Sequence, residues 1–371
     1  MIETLRIDGY RCFDHFEMSG LGRVNLLVGT NNSGKTSALE SLYLLAAAAH
    51  PSAIRNVTSW RGERIVDESE DGSAEFRRDS RGVDISHLFR GHVVDKGSKF
   101  CVRAEGGLSS TKVECCVVDN DGLHDEKQSR LFSELETMAL GGFLLQVTSE
   151  PPSERVPLPI TRSGGLEMES LRRVLRDMGK EDRKAEFVQS NSLTGGEVVF
   201  LWDEVALTSE EEKVIEALQA LEPTIERITS VHSRGSGWVT GGIVARCKGT
   251  DRRIPLGSMG DGMRRMLSLA LSLIRAEGGL LLVDEIDTGL HYSVMRDMWR
   301  MIFSTAERHD VQVFATTHSS DCIASLASVC EKGRSEASHV SIQRIEAGKP
   351  QSVAFSESEI LMAAERHIEV R

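Results

Sequence analysis

Eight consecutive residues, Gly29-Thr30-Asn31-Asn32-Ser33-Gly34-Lys35-Thr36, constrain this chain more than any other stretch. An apolar run of strand length, Val24 to Val28, precedes them, and a strong helix-forming sequence, Ser37 to Ala47, follows. Strand, glycine loop and helix in that order form the setting of a phosphate-binding loop. The two glycines let the backbone curl until consecutive N–H groups face one anion, and the helix N-terminus adds its own field. There Lys35 reaches the β- and γ-phosphates of a nucleoside triphosphate as a point charge, and the Thr36 hydroxyl ligates Mg2+. Gly29, Asn31, Asn32, Ser33, Gly34, Lys35, Thr36 and Ser37 are the expected nucleotide contacts.

A second half of such a site stands far downstream. Leu280 to Val283 is an apolar strand that ends in Asp284 and Glu285. An Asp delivered at a strand tip is the Walker B arrangement: Asp284 holds the metal, directly or through water. Glu285 is placed to accept a proton from the attacking water or to orient it. Lys35 and Asp284 are 249 positions apart, more than a compact phosphate-loop core needs, so the nucleotide fold is split by a large insertion. Upstream of Asp284, Leu256 to Arg265 makes a Ser/Gly turn with Ser258 and Gly260 before an apolar helix, again an anion-binding geometry. One triphosphate needs one such loop, so this turn reads as serving a nucleotide on another subunit; an ordinary helix cap is the plainer alternative. Downstream, Gln312 to Ser319 is another buried strand, and His318 at its end is placed to sense or stabilise the γ-phosphate.

The rest of the chain bounds the problem. A net charge of −12 means that any DNA contact needs a local basic patch, since the global field repels phosphate. Seven scattered cysteines, without a CxxC pair or zinc spacing, read as free thiols of a reducing compartment. No run approaches the ~20 apolar residues of a membrane span, and the first residues have a strand pattern, so a cytoplasmic protein without membrane contact is expected. Leu5 to Tyr10 and Val24 to Val28 read as two strands around a turn with Gly20 and Gly22. Arg11 lies close to the loop in sequence, either as a phosphate contact or as a strand-end surface arginine. Phe100 to Arg103 and Val113 to Val118 read as antiparallel strands decorating the first lobe, and the pattern from Asp125 to Leu221 is mostly helical. Thr208 or Ser209 is the expected cap of a helix there. The cations Arg172, Arg173, Arg176, Lys180, Arg183 and Lys184 are interleaved with acids, which favours a solvated mixed-charge face. A turn at Gly235-Ser236-Gly237 returns the chain to strand character at Trp238 and again at Ile243.

Taken together, the loop with its trailing Ser37, the Ser-Met-Gly-Asp-Gly turn, Asp284-Glu285, the Ile286-Asp287-Thr288-Gly289-Leu290-His291 stretch and the Thr-Thr-His-Ser strand end resemble the ABC-type ATPase heads. With the opening Ile7-Asp8-Gly9-Tyr10-Arg11-Cys12-Phe13, they look most like the branch shared by SMC-like heads and the OLD (overcoming lysogenisation defect) ATPases. The resemblance covers about residues 1–50 and 190–371. It implies an α/β fold: a split ABC-type P-loop NTPase with an antiparallel β subdomain and a mostly helical insertion. The expected division is 1–124 (first lobe), 125–229 (insertion) and 230–371 (second lobe). The implied cofactors are ATP and Mg2+, enclosed in a head-to-tail homodimer or higher homo-oligomer. Ser258 and Gly260 would then reach the γ-phosphate across the interface, Asp287 would stand in the dimer-contacting loop and His318 would be the switch histidine.

Two departures stand out. The signature reads Gly-Ser-Met-Gly-Asp rather than Leu-Ser-Gly-Gly-Gln, and Gln128, Gln146 and Gln189 all compete for the place of the Q-loop glutamine. No TOPRIM nuclease domain of the kind OLD proteins carry is recognisable. The expected function is therefore an ATPase that assembles on ATP and gates a separate effector, a nuclease or toxin, in anti-phage defence. The rivals are a repair or recombination ATPase that clamps duplex DNA directly and a scaffold that binds nucleotide without hydrolysis.

Overall fold

A computed structural model describes residues 1–48, 50–65, 82–106, 109–119, 143–150, 156–161, 164–178, 185–191, 193–232, 241–332 and 340–365. The chain opens on an antiparallel hairpin of β1 (Thr4–Asp8) and β2 (His15–Ser19), then crosses to β3 (Val24–Val28). From β3 it enters the phosphate loop and α1 (Lys35–Ala46), followed by α2 (Pro51–Trp60). Six more strands extend the hairpin: β4 (Gly82–Asp84), β5 (Lys99–Gly106), β6 (Ser109–Asp119), β7 (Phe143–Glu150), β8 (Val156–Ile160) and β9 (Gly165–Glu167). Together they form one eight-stranded sheet in the order β2-β1-β5-β6-β7-β8-β9-β4. The helix α3 (Met168–Met178) and the strand β10 (Ala185–Val188) come next. They lead into α4 (Gly195–Val205) and α5 (Glu211–Gln219).

A small antiparallel sheet follows, of β11 (Ile225–His232), β12 (Gly241–Cys247) and β13 (Arg253–Pro255). The second lobe then runs α6 (Asp261–Arg275), β14 (Leu280–Val283), α7 (Met295–Arg308), β15 (Gln312–Thr316) and α8 (Ser320–Lys332). It closes with β16 (Val340–Arg344), β17 (Val353–Ser356) and α9 (Glu357–Glu365). A six-stranded core sheet has the order β10-β14-β15-β3-β16-β17, parallel except for β17.

The sequence pattern explains this core. β3, β14 and β15 are buried at every position, as strands covered on both faces must be. Each Leu or Val removed from water there contributes about 1.5–3 kcal/mol. Because the core strands from β10 to β16 are parallel, their C-terminal tips share one edge, the position where open α/β sheets bind ligands. The phosphate loop leaves the tip of β3, Asp284 and Glu285 that of β14, Thr316 and His318 that of β15, and Gln189 that of β10.

Several expectations are refined. β1 and β3 are not partners around a turn: β2 intervenes, β1 pairs with it, and β3 belongs to the other sheet. Within the stretch Asp125 to Leu221, expected to be mostly helical, the described helices lie between residues 168 and 219, whereas β7 to β9 before them continue the antiparallel sheet. The burial of β7 alternates along the strand apart from Leu144-Leu145, a half-covered pattern that short windows confuse with helix. The cap of α5 is Glu210, whose side chain makes no capping bond; Thr208 Oγ1 instead accepts from the Glu210 N–H at 3.2 Å. Arg172, Arg173 and Arg176 are exposed on α3, whereas Lys180, Arg183 and Lys184 lie outside the described residues. So do Gln128, the Gly235-Ser236-Gly237 turn and Trp238. Among the described residues no helix is long and apolar enough to cross a membrane.

Candidate nucleotide site

The edge carries a cavity of about 680 Å³. The phosphate loop forms one wall, from Asn31 to Ser37, and the strand tips with Asp284, Glu285, Thr316 and His318 form another. Two glycines make the loop possible. A Cβ on Gly29 (φ +142°) would stand 2.2 Å from the Ile345 carbonyl oxygen, and one on Gly34 (φ +105°) 2.5 Å from the Phe13 ring. Lys35 is almost fully buried and donates to the carbonyls of Gly29 at 2.9 Å and Thr30 at 2.8 Å. Burial pulls its ammonium pKa below the usual lysine value, and the carboxylates of Asp284 and Glu285 oppose that pull. An incoming anion would offset the burial penalty, so the lysine is suited to receive a phosphate.

The Thr36 hydroxyl lies 3.2 Å from both oxygens of Asp284, although 249 positions separate Lys35 from Asp284. Thr316 Oγ1 donates to Asp284 Oδ1 at 2.7 Å and accepts from the Glu285 N–H at 2.8 Å, so one hydroxyl fixes both acids at their strand tip. Thr288 Oγ1 donates to Glu285 Oε2 at 3.2 Å, and Thr317 Oγ1 to Asp287 Oδ1 at 2.5 Å. A threonine hydroxyl and a carboxylate that converge beside the phosphate loop are hard oxygen donors suited to Mg2+, which leaves its other positions to water and phosphate. Among the described residues no group of three or more His, Cys, Asp or Glu forms a separate metal site.

Two features were invisible in the linear reading. Arg265, on α6, is completely buried. Its Nη1 donates to the Gln189 carbonyl at 2.6 Å, and its Nη2 to the carbonyls of Asp284 and Glu285, both at 2.7 Å. One guanidinium thus bolts the tip of β10 to the tip of β14, and burial lowers its pKa to about 10. The available signal was an arginine on the apolar stripe of a helix, four residues before Leu269. The second feature is a charge square beneath α1. Glu40, 1% exposed, pairs with Arg11 Nε at 2.7 Å and Arg61 Nε at 2.6 Å, while Arg11 Nη1 pairs with Glu63 at 2.6 Å. Arg11 therefore reaches the cavity wall already committed to two carboxylates, and Arg61 also donates to Ser37 Oγ at 3.2 Å.

Of the three glutamines, Gln189 follows β10 directly beside the Walker B strand, and Gln146 lies on β7 in the antiparallel sheet. Ser258 and Gly260 are exposed at the start of α6, and neither lines the cavity. His318 is exposed at its rim. Seven non-glycine residues among those described have positive φ, and Arg11, Asn32, His92 and Glu285 of these line the cavity. Backbone strain of about 1–3 kcal/mol per residue gathers where a site needs unusual directions.

Comparison with known proteins places this geometry. Residues 1–140 match a family model described as "AAA ATPase domain", and residues 171–323 match one described as "AAA domain, putative AbiEii toxin, Type IV TA system". An "ATP/GTP phosphatase" of Helicobacter pylori is 22% identical over 352 residues, covering 87% of this chain and 86% of that protein. A shorter match joins 47 residues to the DNA replication and repair protein RecF of Bacillus subtilis at 38% identity, 13% of each chain. Among solved structures, an SMC head bound to the C-terminal winged-helix domain of ScpA superposes with a TM-score of 0.53 at 14% identity over 96% of this chain and 97% of that one. The SMC head of Pyrococcus furiosus with an extended coiled coil, bound to the C-terminal domain of ScpA, gives 0.51 at 12% identity and 99% coverage of both. The fold is that of an SMC-head P-loop ATPase, and the matched domains are of the AAA/ABC type.

Proposed function

We propose that this chain binds ATP with Mg2+ in the cavity at the strand tips, hydrolyses it, and uses the cycle to assemble with further copies and to gate a separate effector. The observation that carries the reading is the approach of Thr36 to within 3.2 Å of Asp284, which joins the two halves of a split site. Lys35 and the loop N–H groups hold the β- and γ-phosphates. Glu285, half-buried and fixed through Thr316, takes the proton of a water that attacks the γ-phosphorus as the bond to the β-phosphate oxygen breaks. His318 at the rim hydrogen-bonds the γ-phosphate, and Gln189 at the tip of β10 serves as the Q-loop glutamine. When bound between Thr36 and Asp284, Mg2+ supplies charge neutralisation of the phosphates.

Ser258 and Gly260 face solvent, so a second copy stacked head to tail would present them, with Asp287, to this cavity's γ-phosphate. The effector, a nuclease or toxin, and a role in anti-phage defence rest on the resemblance to the OLD-like ATPases, and the model matched by residues 171–323 names a putative toxin of a toxin–antitoxin system. We place the activity in the cytoplasm, in keeping with seven free thiols.

A second reading, direct clamping of duplex DNA, is favoured by the short likeness to RecF and opposed by the net charge of −12. One experiment separates them: ATP turnover of wild type and Glu285→Gln, with and without linear duplex DNA, with assembly mass recorded in the same samples. The gating reading expects ATP-raised mass, a stalled variant and indifference to DNA. Stimulation by DNA, with DNA retained by the variant, moves the conclusion to the clamp. Wild-type turnover by Glu285→Gln overturns the catalytic assignment.

A further inference from the structure

His87 and His92 stand on the segment that follows β4, and both line the main cavity. The Nδ1 atoms of the two rings are 3.1 Å apart. Their ring centroids lie 4.9 Å apart, with the planes at 64°. A linear N–H···N bond of that length, with each ring centre about 1.2 Å behind its nitrogen, would hold the centroids about 5.5 Å apart. The rings are therefore not aligned head-on along the line that joins the two nitrogens. Two imidazole nitrogens each about 2.05 Å from a shared ion would subtend about 100° across the same 3.1 Å gap, close to a tetrahedral angle.

The backbone beneath the pair is fixed. Leu88 and Phe89, between the two histidines, are buried. The Arg11 N–H donates to the Leu88 carbonyl and the Arg90 N–H to the Gly9 carbonyl, both at 2.9 Å. The His92 N–H donates to the Phe89 carbonyl at 3.1 Å, and His92 is held at φ +58°, in the left-handed region. Such strain persists where the surroundings dictate a direction for the side chain. Behind His87, Asp84 Oδ1 accepts from the Ser86 N–H at 2.8 Å, and Asp84 Oδ2 lies 3.6 Å from His87 Nε2. A carboxylate there favours a proton on Nε2, which frees the Nδ1 lone pair on the side of His92.

We infer that His87 and His92 bind a transition-metal ion of the zinc class through their Nδ1 atoms, with Asp84 orienting the His87 ring from behind. Imidazole nitrogens suit zinc, nickel or copper, whereas Mg2+ takes oxygen donors, so this ion is distinct from one held by Thr36 and Asp284. Asp84 supports a ligand and is not one. The remaining positions go to water or to an anion in the cavity that both rings line. The inference does not depend on the nucleotide reading, and its test uses no nucleotide.

The test titrates Zn2+ by calorimetry into the full chain as wild type, His87→Gln, His92→Asn, the double variant and Asp84→Asn. Gln and Asn stay polar but lose the imidazole, and Asn tolerates the left-handed backbone at position 92. Melting without metal checks the fold of each variant. If His92→Asn melts lower, His87→Gln decides, since His87 lies in an ordinary helical turn. Wild type binds one more Zn2+ than the double variant, and each single histidine variant weakens that site by about tenfold or more. Asp84→Asn, which keeps an acceptor for the Ser86 N–H, weakens it by about tenfold. Co2+ absorption identifies the donors: the histidine pair gives visible bands without the near-ultraviolet thiolate band that binding at exposed Cys12 would bring. Equal Zn2+ binding by wild type and the double variant overturns the site and leaves the two rings a hydrogen bond only. A thiolate band that the double variant retains in full, with no other Co2+ signal lost, overturns it too. Wild-type affinity in Asp84→Asn refutes the orienting role.

Discussion

Arg265 gives the sharpest perturbation, because its three bonds lie where the sheet delivers its chemistry. Methionine in its place keeps a long unbranched chain in the same space and removes the guanidinium. Three hydrogen bonds from a charged donor contribute roughly 1.5–3 kcal/mol each, about 7 kcal/mol at the middle of the range. Burial takes part of that back: the net fall of the Arg265 pKa from the ordinary arginine value to about 10, with desolvation partly opposed by Asp284, Asp287 and Glu285, corresponds to roughly 3.5 kcal/mol. The difference, about 3.5 kcal/mol, rises toward about 5 kcal/mol because the carbonyls of Gln189, Asp284 and Glu285 lose a buried donor. At about 2 °C per kcal/mol for a large domain, Arg265→Met melts roughly 7–10 °C lower. A shift of the β14 tip by about 1 Å costs on the order of 100-fold in turnover, whereas ATP affinity, set by the loop around Lys35, stays within a few-fold. Arg265→Lys recovers only part of both losses, since a single ammonium cannot reproduce the fork. Differential scanning calorimetry and a phosphate-release assay read the two effects. An Arg265→Met protein with wild-type melting and turnover refutes the claim that this guanidinium joins the strand tips.

Two further expectations concern the same edge. Thr316→Val keeps the shape of the residue but removes the hydroxyl that serves Asp284 and Glu285. It should lower turnover about tenfold and raise the Mg2+ concentration needed for half-maximal rate, which a metal titration checks. The Lys35 pKa is lowered by burial in the free protein, and bound phosphate raises it, so ATP binding takes up protons in that window. Affinity therefore falls as pH rises from the free-protein pKa of Lys35 toward its higher value in the complex; calorimetry across alkaline pH reads the slope, and a flat profile refutes the burial argument.

The chemistry of each wall was legible in the sequence because it is local. Gly29 to Thr36 needs only its own strand and helix to be recognised, and Leu280 to Glu285 only its apolar run and terminal acids. What joins the walls was not legible. The distance between Thr36 and Asp284 depends on β3, β15 and β14 lying side by side, an order that pairing chooses and short windows do not record. Gln189 became distinguishable from Gln146 only when β10 was seen to flank β14, because both follow short apolar runs. Arg61 looked like one of many arginines in a charged stretch; its pairing with Glu40 spans 21 positions and a helix reversal. β7 to β9 were hidden by weak alternation, and the sheet they join supplies the burial that their own propensity does not.

The same connectivity bears on how a nucleotide on one copy could act on another. The turn with Ser258 and Gly260 leads straight into α6, and Arg265 lies just past the first turn of that helix. A helix is stiff over so short a distance, since each turn is locked by backbone hydrogen bonds. The guanidinium then grips carbonyls on two strands at 2.6–2.7 Å, with no side-chain slack on the acceptor side. The exposed turn, the tip of β10 and the two acids of β14 therefore form one mechanical unit, although they come from residues 189, 258–265 and 284–285. Thr316 extends that unit to β15 and the rim histidine, and Thr36 extends it to the phosphate loop. In the head-to-tail arrangement proposed here, a γ-phosphate drawn against Ser258 pulls on the acids of the neighbouring site without any intervening loop to absorb the motion. Hydrolysis at the two sites of a dimer is then coupled by rigid contacts, the physical condition for a switch rather than two independent enzymes.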